Sequence, residues 1–399
     1  MINPSLRTLF RSHSGQAARP LIWLIGFFAF LNIYPIQAVL PLVMRDFQAS
    51  PISAGMTVGI AVLGMAVMSP FVGMLSDALG RKLILCGSML LVALPTALIA
   101  ATESMSALLV LRFFQGIAVP GVMVATIAYL SEEFQVKDVP RMTALYIGGG
   151  VMGGFFGRFF TGHAADFFGW RGAFVALAVL NFVGAILVLW LLPPSRAFVA
   201  SRDVKGALRT LGRHLRNRAL LATCAVGFCI MFAMVGMFTY VSLYLATPPF
   251  NLSARGIANV FLVYLVGTVV TPFAGRYIAE FGLPNSLLTA FAISASGVML
   301  TLVPALLPVI AGLIIFSCGV FICQSITMTS IGACVSEGRS LAMGIFNLIY
   351  YAGGAVSTLL VGLPYQRYGW TAAIFAIVVI QISACAIAYL TWRKRLGQS

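Results

Sequence analysis

Apolar residues along this chain gather into long, nearly unbroken runs, and polar positions are confined to the short stretches between them. Twelve such runs stand near 21–43, 54–76, 83–101, 105–131, 142–163, 172–193, 219–244, 257–279, 285–303, 306–331, 340–362 and 371–392. Each approaches the roughly 20 apolar residues that carry an α-helix across a bilayer, and none shows the two-residue alternation of a barrel strand. The pattern predicts an all-α membrane protein with twelve transmembrane helices. The first run is too long for the hydrophobic part of a signal peptide, about 7–15 residues, and no small-residue cleavage site follows it, so it is read as a span.

Composition excludes a soluble domain: 60% of the residues are hydrophobic and 9% charged, with a mean hydropathy of +1.00. The formal charge of +15 has a topological origin rather than a nucleic-acid partner, because the basic residues flank spans. With the N-terminus inside, nineteen basic residues are cytoplasmic, among them Arg81, Lys82, Arg276 and seven between Arg196 and Arg218, and four (Arg45, Arg171, Arg255, Arg367) are outside. Both termini are therefore expected in the cytoplasm. The seven cysteines fall inside apolar runs or, for Cys334, just past one, without ligand-like spacing, and read as small core residues. Three scattered histidines and no nucleophile–base–acid set argue against an enzyme, and no metal site or cofactor is expected.

The one long polar interruption divides the chain into a cytoplasmic segment 1–20, a six-helix bundle 21–193, a basic linker 194–218, a second six-helix bundle 219–392 and a tail 393–399. An internal repeat supports two like halves. A shift of 200 lays Gly153-Gly154, Gly162 and Gly169-Trp170 on Gly353-Gly354, Gly362 and Gly369-Trp370. A shift of 202 lays Pro70-Phe71-x-Gly73 on Pro272-Phe273-x-Gly275, and Gly80 on Gly282. Two parallel six-span repeats are a plan of secondary transporters, with the substrate site between the repeats near mid-membrane.

Between spans two and three stands Gly73-Met74-Leu75-Ser76-Asp77-Ala78-Leu79-Gly80-Arg81-Lys82. Gly73 is expected where helices pass closely, Gly80 to allow a tight turn, and Arg81 to pair with Asp77 or with Glu132 or Glu133 at the end of span four. Asp77 can face the N-terminal dipole of a helix in the other half. The loop resembles the G-x-L-a-D-r-x-G-R-K loop of the major facilitator superfamily, and that resemblance implies a latch between the halves. Span four carries Arg112-Phe113-Phe114-Gln115-Gly116, similar to the superfamily's R-x-x-Q-G, whose arginine is linked to proton exchange in proton-coupled exporters. Arg112 is expected roughly 10 Å below the outer end of its span, where an arginine is costly and functional by default.

Span five reads Gly149-x-x-x-Gly153-Gly154-x-x-Gly157-Arg158. It resembles the exporters' antiporter motif G-x-x-x-G-P-x-x-G-G, with Gly154 in place of the proline and Arg158 in place of the last glycine. Arg158 is expected at the depth of Arg112, meeting either internal dipoles such as Asn32 and Gln37 or a substrate's carboxylate or phosphate. All ten acidic residues lie at span ends or in loops. Asp46, beside the outer end of span one, is therefore the candidate proton carrier.

Cavity candidates are Asn32, Tyr34 and Gln37 on span one, Met237, Tyr240 and Tyr244 on span seven, Gln324 on span ten, and Asn347 and Tyr350 on span eleven. The resemblance covers the whole chain and is closest to the arabinose-efflux and acriflavine-sensitivity branch of drug:proton antiporters. It implies a monomeric exporter of small amphiphilic solutes in the bacterial inner membrane, powered by the proton gradient. Rival readings are a transporter of a small organic anion or sugar, and a sensor or lipid-handling protein on the same scaffold.

Overall fold

In lipid a backbone amide finds no water, so a chain this apolar must satisfy its main chain internally. In the computed structural model every regular element among the described residues, 18–195, 210–273, 280–335 and 338–396, is accordingly helical. The N-terminal segment to residue 17, residues 196–209 of the linker, residues 274–279 with Arg276, residues 336–337 and the tail from 397 lie outside the described residues.

The first half comprises α1 (Arg19–Leu31), α2 (Ile36–Asp46), α3 (Pro51–Leu79), α4 (Arg81–Ile99), α5 (Met105–Glu133) and α6 (Val139–Leu191). The second comprises α7 (Arg218–Leu245), α8 (Ala254–Val260), a 3₁₀ turn at Phe261–Leu265, α9 (Val266–Val270), α10 (Leu283–Leu300), α11 (Leu306–Cys334), α12 (Arg339–Leu360), α13 (Gly362–Tyr368) and α14 (Trp370–Leu396). Among the described residues ten helical stretches are long and apolar enough to cross a membrane. Gly169 (φ +67°) turns the chain inside α6, so that helix makes two crossings. The shorter stretch Ala254–Val270 supplies one more, for twelve in all. Arg19, Arg81, Leu192 and Arg218 share one end of the bundle, here the basic face; Asp46 and Gly169 mark the far face.

Two spans depart from the regular helices the pattern predicts. Span one breaks at 32–35, where Pro35 has no N–H to give the ladder. Span eight tightens into 3₁₀ turns, and Thr268 and Thr271 bond back to the carbonyls of Leu265 and Gly267, both at 2.6 Å. Spans five and eleven also run longer than expected, reaching residue 168 and Tyr368.

Glycine sets the packing of span five on span one. A Cβ at Gly149, Gly153 or Gly157 would stand 2.0, 2.0 or 2.1 Å from the carbonyl oxygen of Trp23, Phe27 or Leu31. The second half repeats the device, with Gly353 at 2.1 Å from the Phe228 oxygen. Left-handed glycines recur at the same offsets, Gly80 with Gly282 and Gly169 with Gly369. The halves meet along α3 and α12, where Gly59 packs on Thr358, Gly354 on Val62 and Gly344 on Pro70. Around the outside Phe71, Leu83, Leu91, Leu94, Phe182, Trp190, Phe375 and Leu390 are exposed, an apolar belt that only lipid can cover.

Candidate functional site

The break in span one leaves main-chain carbonyls without helical donors, and Arg112 supplies them. Its side chain is fully buried. Nε donates to the Thr57 oxygen at 2.9 Å, Nη1 to the Asn32 oxygen at 3.0 Å and to Gln115 Oε1 at 2.6 Å, and Nη2 to the Ile33 oxygen. Gln115 Nε2 then donates to Thr96 Oγ1 at 2.7 Å, and Thr96 donates to Asn32 Oδ1 at 3.3 Å. Gly116, next in the motif, would carry a Cβ 1.9 Å from the Ala61 oxygen. Each motif residue thus holds spans one to four together around a broken helix.

Arg158 is also buried, but its partners come from both halves. Nε donates to Gln37 Oε1 at 2.8 Å, and Nη1 donates to the Gly154 oxygen at 2.7 Å. Gln37 Nε2 in turn donates across the interface to Thr239 Oγ1 of α7 at 3.0 Å. The guanidinium carbon lies 4.6 Å from the ring centre of Tyr34, 4.6 Å from Tyr264 and 5.0 Å from Phe261. Among the described residues no carboxylate is buried, so Arg158 is held by neutral dipoles and π-faces alone. Gly154, unlike its neighbours at 153 and 157, faces this centre: a Cβ there would meet only Arg158 Nη1, at 3.8 Å.

At the basic face Arg81 is almost fully buried and clasps two acids. Nε donates to both oxygens of Glu132 at 3.1 Å, Nη2 to Glu132 Oε1 at 2.6 Å, and Nη1 to Asp77 and to Ser76 Oγ. Glu132 rather than its half-buried neighbour Glu133 takes the paired contact. Lys82 Nζ donates to the Leu192 oxygen at the end of span six. Gly80, with φ +99°, makes the tight turn. Gly73 is a correction to the expected close helix approach: a Cβ there would meet nothing within 4 Å. Continuing the antiparallel α3–α12 register toward the basic face brings Asp77 level with the start of α12.

Other expected site residues lie elsewhere. Asp46 accepts from Trp170 Nε1 at 3.0 Å and from Arg171, whose second nitrogen donates to the Thr102 oxygen at 3.0 Å. It is an exposed tie at the far face, remote in the fold from the Arg81 clasp. Tyr240 packs against Gly55 and Gly362 and donates to the Thr358 oxygen. Tyr244 stacks on Trp370 with ring centres 4.7 Å apart. Met237 is fully buried core, while Gln324 and Asn347 are half-buried.

The far side of the centre is closed by contacts between halves: Gln37 with Thr239, Gly55 with Tyr240, and Gly162 against Ala258 and the Ala254 oxygen. A halved membrane bundle with its buried polar centre on the dividing plane accords with a match of residues 22–337 to the model of the Major Facilitator Superfamily. The chain belongs to that superfamily. Within it, the chain is 30% identical over 370 residues to the inner membrane transport protein YnfM of Escherichia coli, covering 92% of this chain and 89% of that protein. It is 27% identical over 245 residues to the chloramphenicol resistance protein CraA of Acinetobacter baumannii, 59% of this chain and 58% of that protein. A bacterial homologue of the human lysosomal transporter Spinster, in an inward-facing and occupied conformation, shares the fold with a TM-score of 0.80 at 15% identity, covering 96% of this chain and 98% of that one.

As a superfamily member the chain is a multi-pass membrane transporter. The residues that sequence reasoning missed are Thr239, Phe261 and Tyr264, which complete the Arg158 centre from the second half. Tyr264 puts a phenol four residues ahead of Thr268 in the apolar run of span eight, the one signal that marked it. Thr239 and Phe261 carried none, because both residue types are ordinary inside membrane helices.

Proposed function

We propose that this transporter is a proton-coupled exporter of small amphiphilic solutes in the bacterial inner membrane, monomeric, with both termini cytoplasmic, working by alternating access. The observation that carries the reading is the position of Arg158 on the dividing plane. Tyr34, Gln37 and Gly154 come from one half, and Thr239, Phe261 and Tyr264 from the other. Rocking one half against the other takes this centre apart and rebuilds it, which is what a mid-membrane site exposed to each side in turn requires. The rings offer a flat solute stacking surfaces, and Arg158 offers it a charge. The name of CraA lends support to drug-like solutes, and the resemblance of Arg112–Gln115–Gly116 to the exporters' motif supports proton coupling. The clasp of Arg81 with Asp77 and Glu132, level with α12, serves as the latch on the cytoplasmic side.

The test is dye accumulation by everted vesicles under an imposed pH gradient. Uptake should follow the gradient, collapse with an uncoupler, and fall to background with Arg158→Gln at equal membrane content. Uptake that persists after the gradient is collapsed refutes the coupling. Uptake no greater than from vesicles lacking the protein, across a panel of amphiphiles, refutes export.

A further inference from the structure

The two buried arginines are in different chemical situations. Arg112 makes four hydrogen bonds within one half, three of them to main-chain oxygens. Arg158 makes two, and otherwise faces rings. A guanidinium has five N–H donors in a planar fork that matches a carboxylate in two-point contact. No buried carboxylate among the described residues answers either charge. Arg112 bonds the Asn32 and Ile33 oxygens and Arg158 lies 4.6 Å from the centre of the Tyr34 ring, so both charges flank the break in span one and their fields add there. A cation brought there is repelled, and an anion is attracted more strongly than it would be in water.

A second observation points the same way. Tyr350 is only 3% exposed, yet its hydroxyl has no hydrogen-bond partner. Its ring is fixed by stacking on Phe346 at 5.3 Å and by an edge contact with Tyr351 at 5.3 Å. The hydroxyl belongs to the half opposite Arg158, and its electrostatic surroundings include Tyr34 and Tyr264, two of the rings around Arg158. A buried hydroxyl left unpaired is destabilising, and a bound solute with a polar edge removes that cost.

Resting on the reading of this chain as a transporter, we infer that its solutes are small flat aromatic anions. The carboxylate pairs with Arg158, the ring packs against the aromatic side chains around it, and the polar edge meets the Tyr350 hydroxyl. The countercharge for Arg158 is then carried by the solute rather than by the protein, and the site rejects cations of the same shape. Gly154 leaves room on the guanidinium side for the carboxylate to approach.

Three probes of one shape separate charge from hydrophobicity: naphthoate, naphthamide and naphthylmethylamine. Their equilibrium binding to the full-length protein in lipid nanodiscs is read by fluorescence. Naphthoate should bind about tenfold or more tighter than the amide, the range expected from one charge-assisted pair, and the amine weakest. Arg158→Gln should abolish the preference; Arg158→Lys, which keeps the charge without the fork, should retain part of it. Tyr350→Phe should weaken naphthoate carrying a ring hydroxyl several-fold and leave plain naphthoate nearly unchanged. Equal or tighter binding of the amide or the amine to the unmodified protein overturns the inference without any variant having to fold, and so does a preference that survives Arg158→Gln. Flux in proteoliposomes distinguishes the two levels. Transport of neutral or cationic dyes with no competition from naphthoate overturns the anion site and leaves export standing. Selective naphthoate binding with no flux of any probe upholds the site and overturns export.

Discussion

If Arg112 is the staple of a broken helix, its replacement should be felt first as lost stability. Arg112→Met keeps the unbranched stem out to about the position of Nε and removes every donor. The carbonyl oxygens of Asn32, Ile33 and Thr57 and the amide oxygen of Gln115 then lose a charge-assisted bond in a site without solvent. Each such buried acceptor costs about 1–3 kcal/mol when left unpaired, roughly 4–12 kcal/mol gross. Removing a buried charge returns several kcal/mol of desolvation, and Gln115 and Thr96 can turn toward the vacated oxygens. The net loss worked from these opposing contributions is about 2–5 kcal/mol. Arg112→Lys, with three donors radiating from one point, should recover part of it. The assay is thermal unfolding of the purified protein in detergent, followed by size-exclusion fluorescence, beside flux at matched membrane content. A wild-type melting temperature in Arg112→Met with flux abolished would refute the staple and assign the guanidinium to the transport cycle itself.

Two further outcomes follow from contacts already described. Gly153→Ala places a methyl group 2.0 Å from the Phe27 oxygen and should cost about 1–3 kcal/mol in the same melting assay, whereas Gly154→Ala, with 3.8 Å to a side-chain nitrogen, should cost less than half as much; equal losses refute the division of labour among these glycines. At the basic face, Glu132→Gln breaks the more buried partner of Arg81 and should destabilise by about 3 kcal/mol, while Asp77→Asn, with its side chain 46% exposed, should cost under about 1 kcal/mol. A larger melting loss from Asp77→Asn would mean that the chief partner of Asp77 is the start of α12 rather than Arg81.

Much of the fold was legible because lipid imposes a coarse rule that a sequence shows directly. Apolar runs of membrane length had to be helices, and the repeat offsets of 200 and 202 reappear as paired left-handed turns at Gly169 with Gly369 and Gly80 with Gly282. The irregularities were less legible. The four-residue break in span one depends on Arg112 arriving from span four to satisfy the carbonyls. Gly73 was expected as a contact glycine from its place in the loop, and its open surroundings show otherwise. Tyr240 and Tyr244 are the same residue type as Tyr264, and whether a tyrosine packs a far-face contact or a central ring depends on helix rotation, which an apolar run does not encode.

The same limit explains why two arginines of equal burial could not be told apart in advance. Depth and residue type are alike; what differs is where the partners reside. Those of Arg112 all belong to spans one, two and four, which move as a unit, so its bonds persist whichever way the halves rock. Arg158 touches Phe261 and Tyr264 directly and Thr239 through Gln37, all across the dividing plane. Opening the site on either side must therefore change the surroundings of Arg158 and leave those of Arg112 nearly constant. A charge whose stabilisation varies with conformation can bias the equilibrium between states, because a ligand shifts that equilibrium only by its differential affinity for them. A solute that neutralises Arg158 when the aromatic partners are apart, and leaves when they return, would exert that bias. A solute bound at Arg112 would exert none.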